Sequence, residues 1–550
     1  MGDSSPQIQE NLAERPKDYE QVMATTPDVH NHSVAMKIQM DEENYEKYVT
    51  TTLEEKPSKG EVLCWYLYEL CSYFIHTVLI PIVFPLIISQ TVSMPHEPQR
   101  GWLNSYRDLK CRKNEMQLYE GLIQRSISVS DMNFSPLEWT SISWFTGLIL
   151  SAPLLAIVSI HLDYDTNPQL IPGVATGLGV IFCLPVGFFR KSWILPLYIA
   201  IIVAANTIGA AFHARHLGLM IRGFIGSTIM KTRFPDRRAF GSYLSLYSTA
   251  AGCLGAAIIS SFTYHMLGRN DHFTALWIVS IFSGLKWGVG LVHVFSANRP
   301  SASAFSSSNS IPKIHALSIF KFPFAVGSLA AVFLSSFSTM CIFAGGVLYA
   351  IGYLCLQPVN ILFLWLMYFV FPILSLSLLH LLQQVIRADA MKMKLLGFLL
   401  ATLSSGFGFY FHKDNWEMKH LLVFAGVQTT ATGLLHAFGR LLWLECSPAG
   451  KEGAFSVWFS WVRGLGTCAG FALATAVPGN IGRSFGVAFW AGIAGMVILI
   501  FGNITSFGAA KAAGLVIEDG ETASPAYGWD DDGMDVQGSV IIDTPTQGKI

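Results

Sequence analysis

Charge is what this chain has least of. Only 13% of its 550 residues are charged, against 52% hydrophobic, whereas a soluble domain carries about 25% charged positions. That scarcity excludes an ordinary soluble globular protein. The net charge of −1 leaves no basic footprint for nucleic acid. No G-x-x-x-x-G-K-[ST] loop is present, so nothing supports phosphate cradling by a P-loop, and neither H-E-x-x-H nor G-x-S-x-G occurs. The chain is therefore not expected to be an enzyme, and no cofactor or metal is expected. The nine cysteines show no C-x-x-C or metal-ligand spacing. Cys111 stands alone in its loop, so no disulfide framework is expected. The first 60 residues lack an apolar run, so no cleavable signal peptide is expected and the first membrane helix would direct insertion.

What the chain does have is long apolar segments. The first, Val62 to Gln90, is mostly apolar and broken by Pro81 and Pro85. It is long enough to cross a bilayer of roughly 30 Å. Further spans are expected near 138–161, 170–188, 193–213, 239–264 and 274–295. After a serine-rich break they resume at 321–354, 358–383, 395–412, 419–445, 454–477 and 486–509. The expected fold is an all-α polytopic membrane protein of two six-helix bundles with a path between them. Its parts are an acidic disordered tail (1–60), an N-terminal bundle (61–295), a linker (296–318), a C-terminal bundle (319–509) and a second acidic tail (510–550). The first tail holds twelve acids against six bases and has too little to bury.

Residues 214–238 carry Arg215, Arg222, Lys231, Arg233, Arg237 and Arg238 against Asp236 alone. By the positive-inside rule this segment is cytoplasmic. It reads as an extension of the fourth span plus an interfacial helix, with an extra span at 216–231 as the alternative. Arg387, Lys392 and Lys394 support the same side, which leaves the loop 91–137 in the lumen. Asp163 and Asp165 read as solvated loop acids.

Polar residues inside the spans are the candidate site. Trp65, Glu69, Tyr73 and His76 follow one helical stripe. A carboxylate at that depth must face protein or a watery cavity. Asn206, His213, Lys286, His293, Gln428, His436, Arg440 and Arg463 are the other candidates from the remaining spans. Two readings stay open for Glu69: a structural partner of Lys286, Arg440 or Arg463, or a group that handles substrate or protons. For His76, His293 and His436 a satisfied core histidine is the simpler reading. An acid opposite fixed cations among aromatic faces suits a zwitterion such as an amino acid, and equally an organic anion or a small peptide.

Three patches carry a resemblance. They are Trp65-Tyr66-Leu67-Tyr68-Glu69, then Ile342-Phe343-Ala344-Gly345-Gly346-Val347-Leu348-Tyr349, and the turn around Gly433, Ala437, Arg440, Glu445, Pro448 and Lys451-Glu452-Gly453-Ala454-Phe455, followed by Gly466 and Gly470. Together they resemble the autophagy-related vacuolar amino-acid effluxer-like family of the major facilitator superfamily. Two positions depart from that pattern: the loop after the second span reads His161-Leu162-Asp163-Tyr164-Asp165 without a base, and Leu441 follows Arg440. The resemblance implies a twelve-helix secondary transporter that moves amino acids out of a vacuole-like lumen by alternating access. Under it, Glu69 is the natural proton carrier. Its partners would be the bilayer, a small solute, protons, and cytosolic proteins that meet the acidic tails. A membrane scaffold or receptor on the same fold is the competing reading.

Overall fold

The computed structural model describes residues 55–92, 113–165, 167–226, 228–269, 272–296, 299, 315–356, 358–413, 416–502 and 504–517. Most of both expected tails, residues 93–112 of the 91–137 loop and most of the 296–318 linker lie outside these residues. Among the described residues, eleven helical segments are long and apolar enough to cross a membrane, and Glu452–Ala476 is a further long helix. The chain is an all-α, multi-pass membrane protein.

The first helix, α1 (Lys59–Thr91), is almost wholly enclosed by protein. Ser58 starts it by accepting the Glu61 N–H, a side-chain cap for a helix start that has no earlier carbonyls to bond. Its middle, Ile75–Val83, runs as a π-helix around Pro81, with Phe84 N–H donating to Leu79 O. Proline has no N–H to give and its ring crowds the preceding turn, so the ladder widens there. The bend expected from Pro81 and Pro85 is thus a wide turn, and it begins beside His76.

A short helix, α2 (Lys113–Ile123), and a hairpin of β1 (Ile127–Val129) with β2 (Met132–Phe134) precede the second span. The remaining N-terminal spans are α3 (Pro136–Tyr164), α4 (Leu170–Gly187), α5 (Leu195–Ile225), α6 (Phe234–Leu267) and α7 (His272–Ser296). In the second half come α8 (Pro323–Gly352), α9 (Pro358–Ile386), α10 (Ala390–Tyr410), α11 (Met418–Glu445), α12 (Glu452–Ala476) and α13 (Ile481–Phe501). Within the first half, α3, α4 and α5 pack together and α1 lies on α6. Within the second, α8 packs on α12 and α13, and α10 on α11 and α13. The halves meet where α6 lies on α9 and α11, and α12 on α3 and α5.

Glycine allows the closest of these approaches. A Cβ at Gly466 would lie 2.6 Å from Phe333 O, closer than packed atoms tolerate, so α12 rides directly on the α8 backbone. The lipid-facing surface is apolar, with Leu374, Leu378 and Leu381 of α9 at least 60% exposed.

Four expectations are corrected. In 214–238 the expected extension of the fourth span is present, as α5 runs unbroken to Ile225, but among the described residues a short strand and turn before α6 at Phe234 stand in place of the expected interfacial helix, and the alternative extra span is absent. Order continues past residue 509, where α14 (Ser506–Ala512) leads into β4 (Val516–Ile517), which pairs in parallel with β3 (Ile229–Met230). Lys394, counted with the cytoplasmic bases ahead of the span 395–412, lies inside α10 and is fully buried. Cys355, in the turn between α8 and α9, is disulfide-bonded, while Cys64, Cys71, Cys183, Cys253, Cys341, Cys446 and Cys468 are free.

Candidate functional site

Glu69 is 5% exposed and sits at the contact of the two halves. His213 of α5 places Nε2 2.7 Å from one carboxylate oxygen, and Arg440 Nη1 lies 3.5 Å from the same atom. His436 Nε2 is 3.2 Å from the other oxygen. Three side chains from two helices, α5 and α11, therefore converge on one acid of α1. Arg440 also donates to the Ser245 hydroxyl and backbone carbonyl of α6, and Ser245 in turn donates to Ala437 O of α11. Trp65 stacks on His213 with centroids 4.5 Å apart and donates to its carbonyl, while the Arg440 guanidinium lies over the Trp65 ring. A carboxylate in hydrocarbon is tolerated when it is paired and hydrogen-bonded, and this one is. Gly252 on α6 makes room, because a Cβ there would come within 3.1 Å of Glu69 Cγ.

Beside this network lies a cavity with about 650 Å³ of empty space. Tyr73, His76 and Thr77 of α1 line one wall; helices of the second half supply the rest, including His436 and Arg463. Arg463 Nη2 is 2.5 Å from His76 Nε2. Since arginine is a pure donor, the imidazole nitrogen accepts in that contact. Hydroxyls of Ser335, Thr339, Thr432 and Thr467 face the same space. The lining thus offers a cation, donors and aromatic faces. A second, apolar cavity of about 700 Å³ lies among the aromatic side chains of α8, α9, α11 and α13. Phe343 and Tyr368, 4.9 Å apart by centroid, line both cavities. They form the partition between polar and apolar space.

One face of the molecule is latched by charge. The Asp163 carboxylate accepts the Gly453 N–H at 2.6 Å and the Ala454 N–H at 3.0 Å, capping the first turn of α12. A helix start is an anion site because its N–H groups lack partners and its dipole is positive there. Gly453 is required by that approach, since a Cβ would sit 2.7 Å from Asp163 Oδ1. Arg222 of α5 pairs with Glu452 in the same turn. Asp163 is completely buried, which corrects its reading as a solvated loop acid: α3 runs three residues further than expected and carries it under α12. Arg215, Arg222 and Arg237 are likewise buried, so half of the basic residues in 214–238 serve internal contacts.

Of the expected site residues, Trp65, Glu69, His436 and Arg440 converge in one network, and Tyr73 and His76 line the cavity next to it. Lys286 does not pair with Glu69. Its ammonium donates to Gly255 O at 2.6 Å and lies over the Phe74 ring. Gln428 is displaced into the apolar cavity, where its carbonyl accepts from Ser404. Asn206 is half-buried, two turns from His213 along α5, or about 10 Å. The sequence reading missed His216, Glu61 and Asp163. The spacing His213-Ala214-Arg215-His216 was a usable signal, because residues three apart share a helix face.

No protein-family model and no curated protein sequence matches this chain. The class defined by fold and site is a multi-pass membrane protein with a buried ion network joining its two halves.

Proposed function

We propose that this chain is a secondary active transporter, a twelve-helix member of the major facilitator superfamily close to the vacuolar amino-acid effluxers. The single observation that carries the reading is the polar cavity at the contact of the halves, with Arg463 and His76 on its wall. A path through a bilayer needs a hydrated, chemically selective site between parts that can rock. A scaffold has no use for a guanidinium facing empty space at that depth. Arg463 binds the carboxylate of the solute as a planar fork. The faces of Tyr73, Phe343 and Tyr368 receive its ammonium or apolar part. Among the described residues no carboxylate lines the cavity, so an amino acid is held first by its acid end. Glu69, behind Tyr73 and His436, responds to the solute through those side chains and carries the proton. The solute leaves a vacuole-like lumen for the cytosol, and the acidic tails meet cytosolic partners.

The disulfide at Cys355 supports the orientation, because disulfides persist on the oxidising side of a membrane. That turn lies on the face opposite the Asp163 latch. The test is counterflow in liposomes containing the purified protein, loaded with a mixed panel of amino acids and organic acids. Saturable exchange of at least one solute is expected. No exchange with any member would leave the scaffold or receptor reading.

A further inference from the structure

Two carboxylates of α1, Glu61 and Glu69, stand eight residues apart, about 12 Å along the helix, and three histidines fill the interval. His213 Nε2 lies 2.7 Å from Glu69, and His216 Nε2 lies 2.8 Å from Glu61. His293 of α7 stands between them, its ring centroid 5.9 Å from that of His213 and 5.1 Å from that of His216. All three rings are at most 3% exposed. Among the described residues, both nitrogens of His293 and Nδ1 of His213 and of His216 have no hydrogen-bond partner. Buried polar atoms without partners cost stability, and apolar residues would fill this space more cheaply. Such a row calls for a use.

We infer that Glu69, His213, His293, His216 and Glu61 form a proton relay connecting the central network to the membrane face where α1 begins. The inference rests on the transporter reading and adds the route by which the coupling proton leaves. The Glu69 carboxylic acid gives its proton to His213 Nε2 as the Nδ1 proton departs to His293. His293 passes a proton to His216 Nδ1, and His216 Nε2–H protonates the Glu61 carboxylate. One proton enters and one leaves each ring, so only tautomers change, and ring rotation restores them. The near-perpendicular rings, at 75° and 82° to His293, let a swing of the middle ring address either neighbour. Imidazole suits this task because its two nitrogens accept and donate in turn.

The groups facing the row set its direction. Tyr68 of α1 stacks on His213 and lies against His293. At the inner end Arg440 and His436 of α11 flank Glu69. At the outer end Arg299 grips both oxygens of Glu61 at 2.6 and 3.0 Å, and Arg215 of α5 donates to the Arg299 carbonyl. Asp163 of α3 acts electrostatically on Arg215. A cation at each end and neutral aromatics between make the carboxylates the resting points and His293 the crossing.

The experiment uses full-length protein in liposomes with an imposed pH gradient and an internal pH dye. Gradient-driven solute transport and proton flux are read beside solute counterflow. In His293→Phe and His293→Gln, driven transport and proton flux should fall at least about tenfold, with counterflow within about twofold of wild type. Glutamine keeps the hydrogen bonding but cannot pass a proton. Normal driven transport in His293→Gln, with only His293→Phe impaired, would reduce His293 to packing and overturn the relay. Normal coupling in both variants would overturn it too, leaving the transporter reading intact. Absence of counterflow in wild type would overturn both.

Discussion

The two halves of the seam between the bundles are held in different ways. On the face where α1 begins, the halves are joined by charge: Asp163 on the α12 start, Arg222 with Glu452, and Arg440 with Glu69. Towards the other face they are joined by rings and an apolar helix. Trp144 meets Phe471, Trp461 donates to Leu148 O, and Tyr119 of α2 is buried where α2 packs on α8, its ring against Gly352. Charge contacts in a low-dielectric setting are strong at one geometry and lose their value once separated. Apolar contacts are non-directional and tolerate sliding. Under the proposed transporter reading, the charged half serves as a latch and the apolar half as the surface on which it pivots.

The largest expected break is at Arg440. Arg440→Leu leaves Glu69 and Ser245 without their guanidinium and should cost about 3–5 kcal/mol. The readout is thermal unfolding in detergent, and Arg440→Leu combined with Glu69→Gln should recover part of the loss. A double variant no better than the single would mean that Arg440 acts elsewhere. Next comes the opposite side: Cys355→Ser should cost about 2–4 kcal/mol, seen as a lower melting temperature. It should leave the latch untouched.

Asp163→Asn should cost about 1–2 kcal/mol, the range for a lost helix cap. Its main effect is on opening. A cysteine replacing the buried Ala454, in a background free of other reactive thiols, should become accessible to a water-soluble maleimide, and unchanged labelling would remove Asp163 from the latch. The smallest effect is expected at Arg125, whose side chain is 67% exposed against Glu138. Arg125→Gln should stay within about 0.5 kcal/mol, and a larger change would mean that the far side also depends on charge.

This contrast also explains what could be read from the sequence. Spans were legible because apolar length is a local property: the first was read as Val62 to Gln90 and runs Lys59–Thr91. Even its start had a local sign, Ser58 three residues before Glu61. The converging stripe of α1 was legible for the same reason. Partners were not. Nothing near Glu69 names Arg440 over Lys286, since that choice depends on how α6 and α11 meet across the seam. Asp163 was misread because a three-residue error in a helix end decides whether an acid is solvated or buried under α12. Lys394 counted as a cytoplasmic base from its place just before an expected span, yet it is buried on α10 against α11. That Cys355 is disulfide-bonded is something cysteine spacing cannot reveal.

In the proposed function, the cavity holds a solute by its carboxylate at Arg463. The most direct measurement is amino-acid counterflow in liposomes for wild type, Arg463→Lys and Arg463→Gln at matched protein level. Saturable exchange is expected in wild type, a raised half-saturation concentration in Arg463→Lys, and loss of exchange in Arg463→Gln. Wild-type affinity and rate in Arg463→Gln would contradict it.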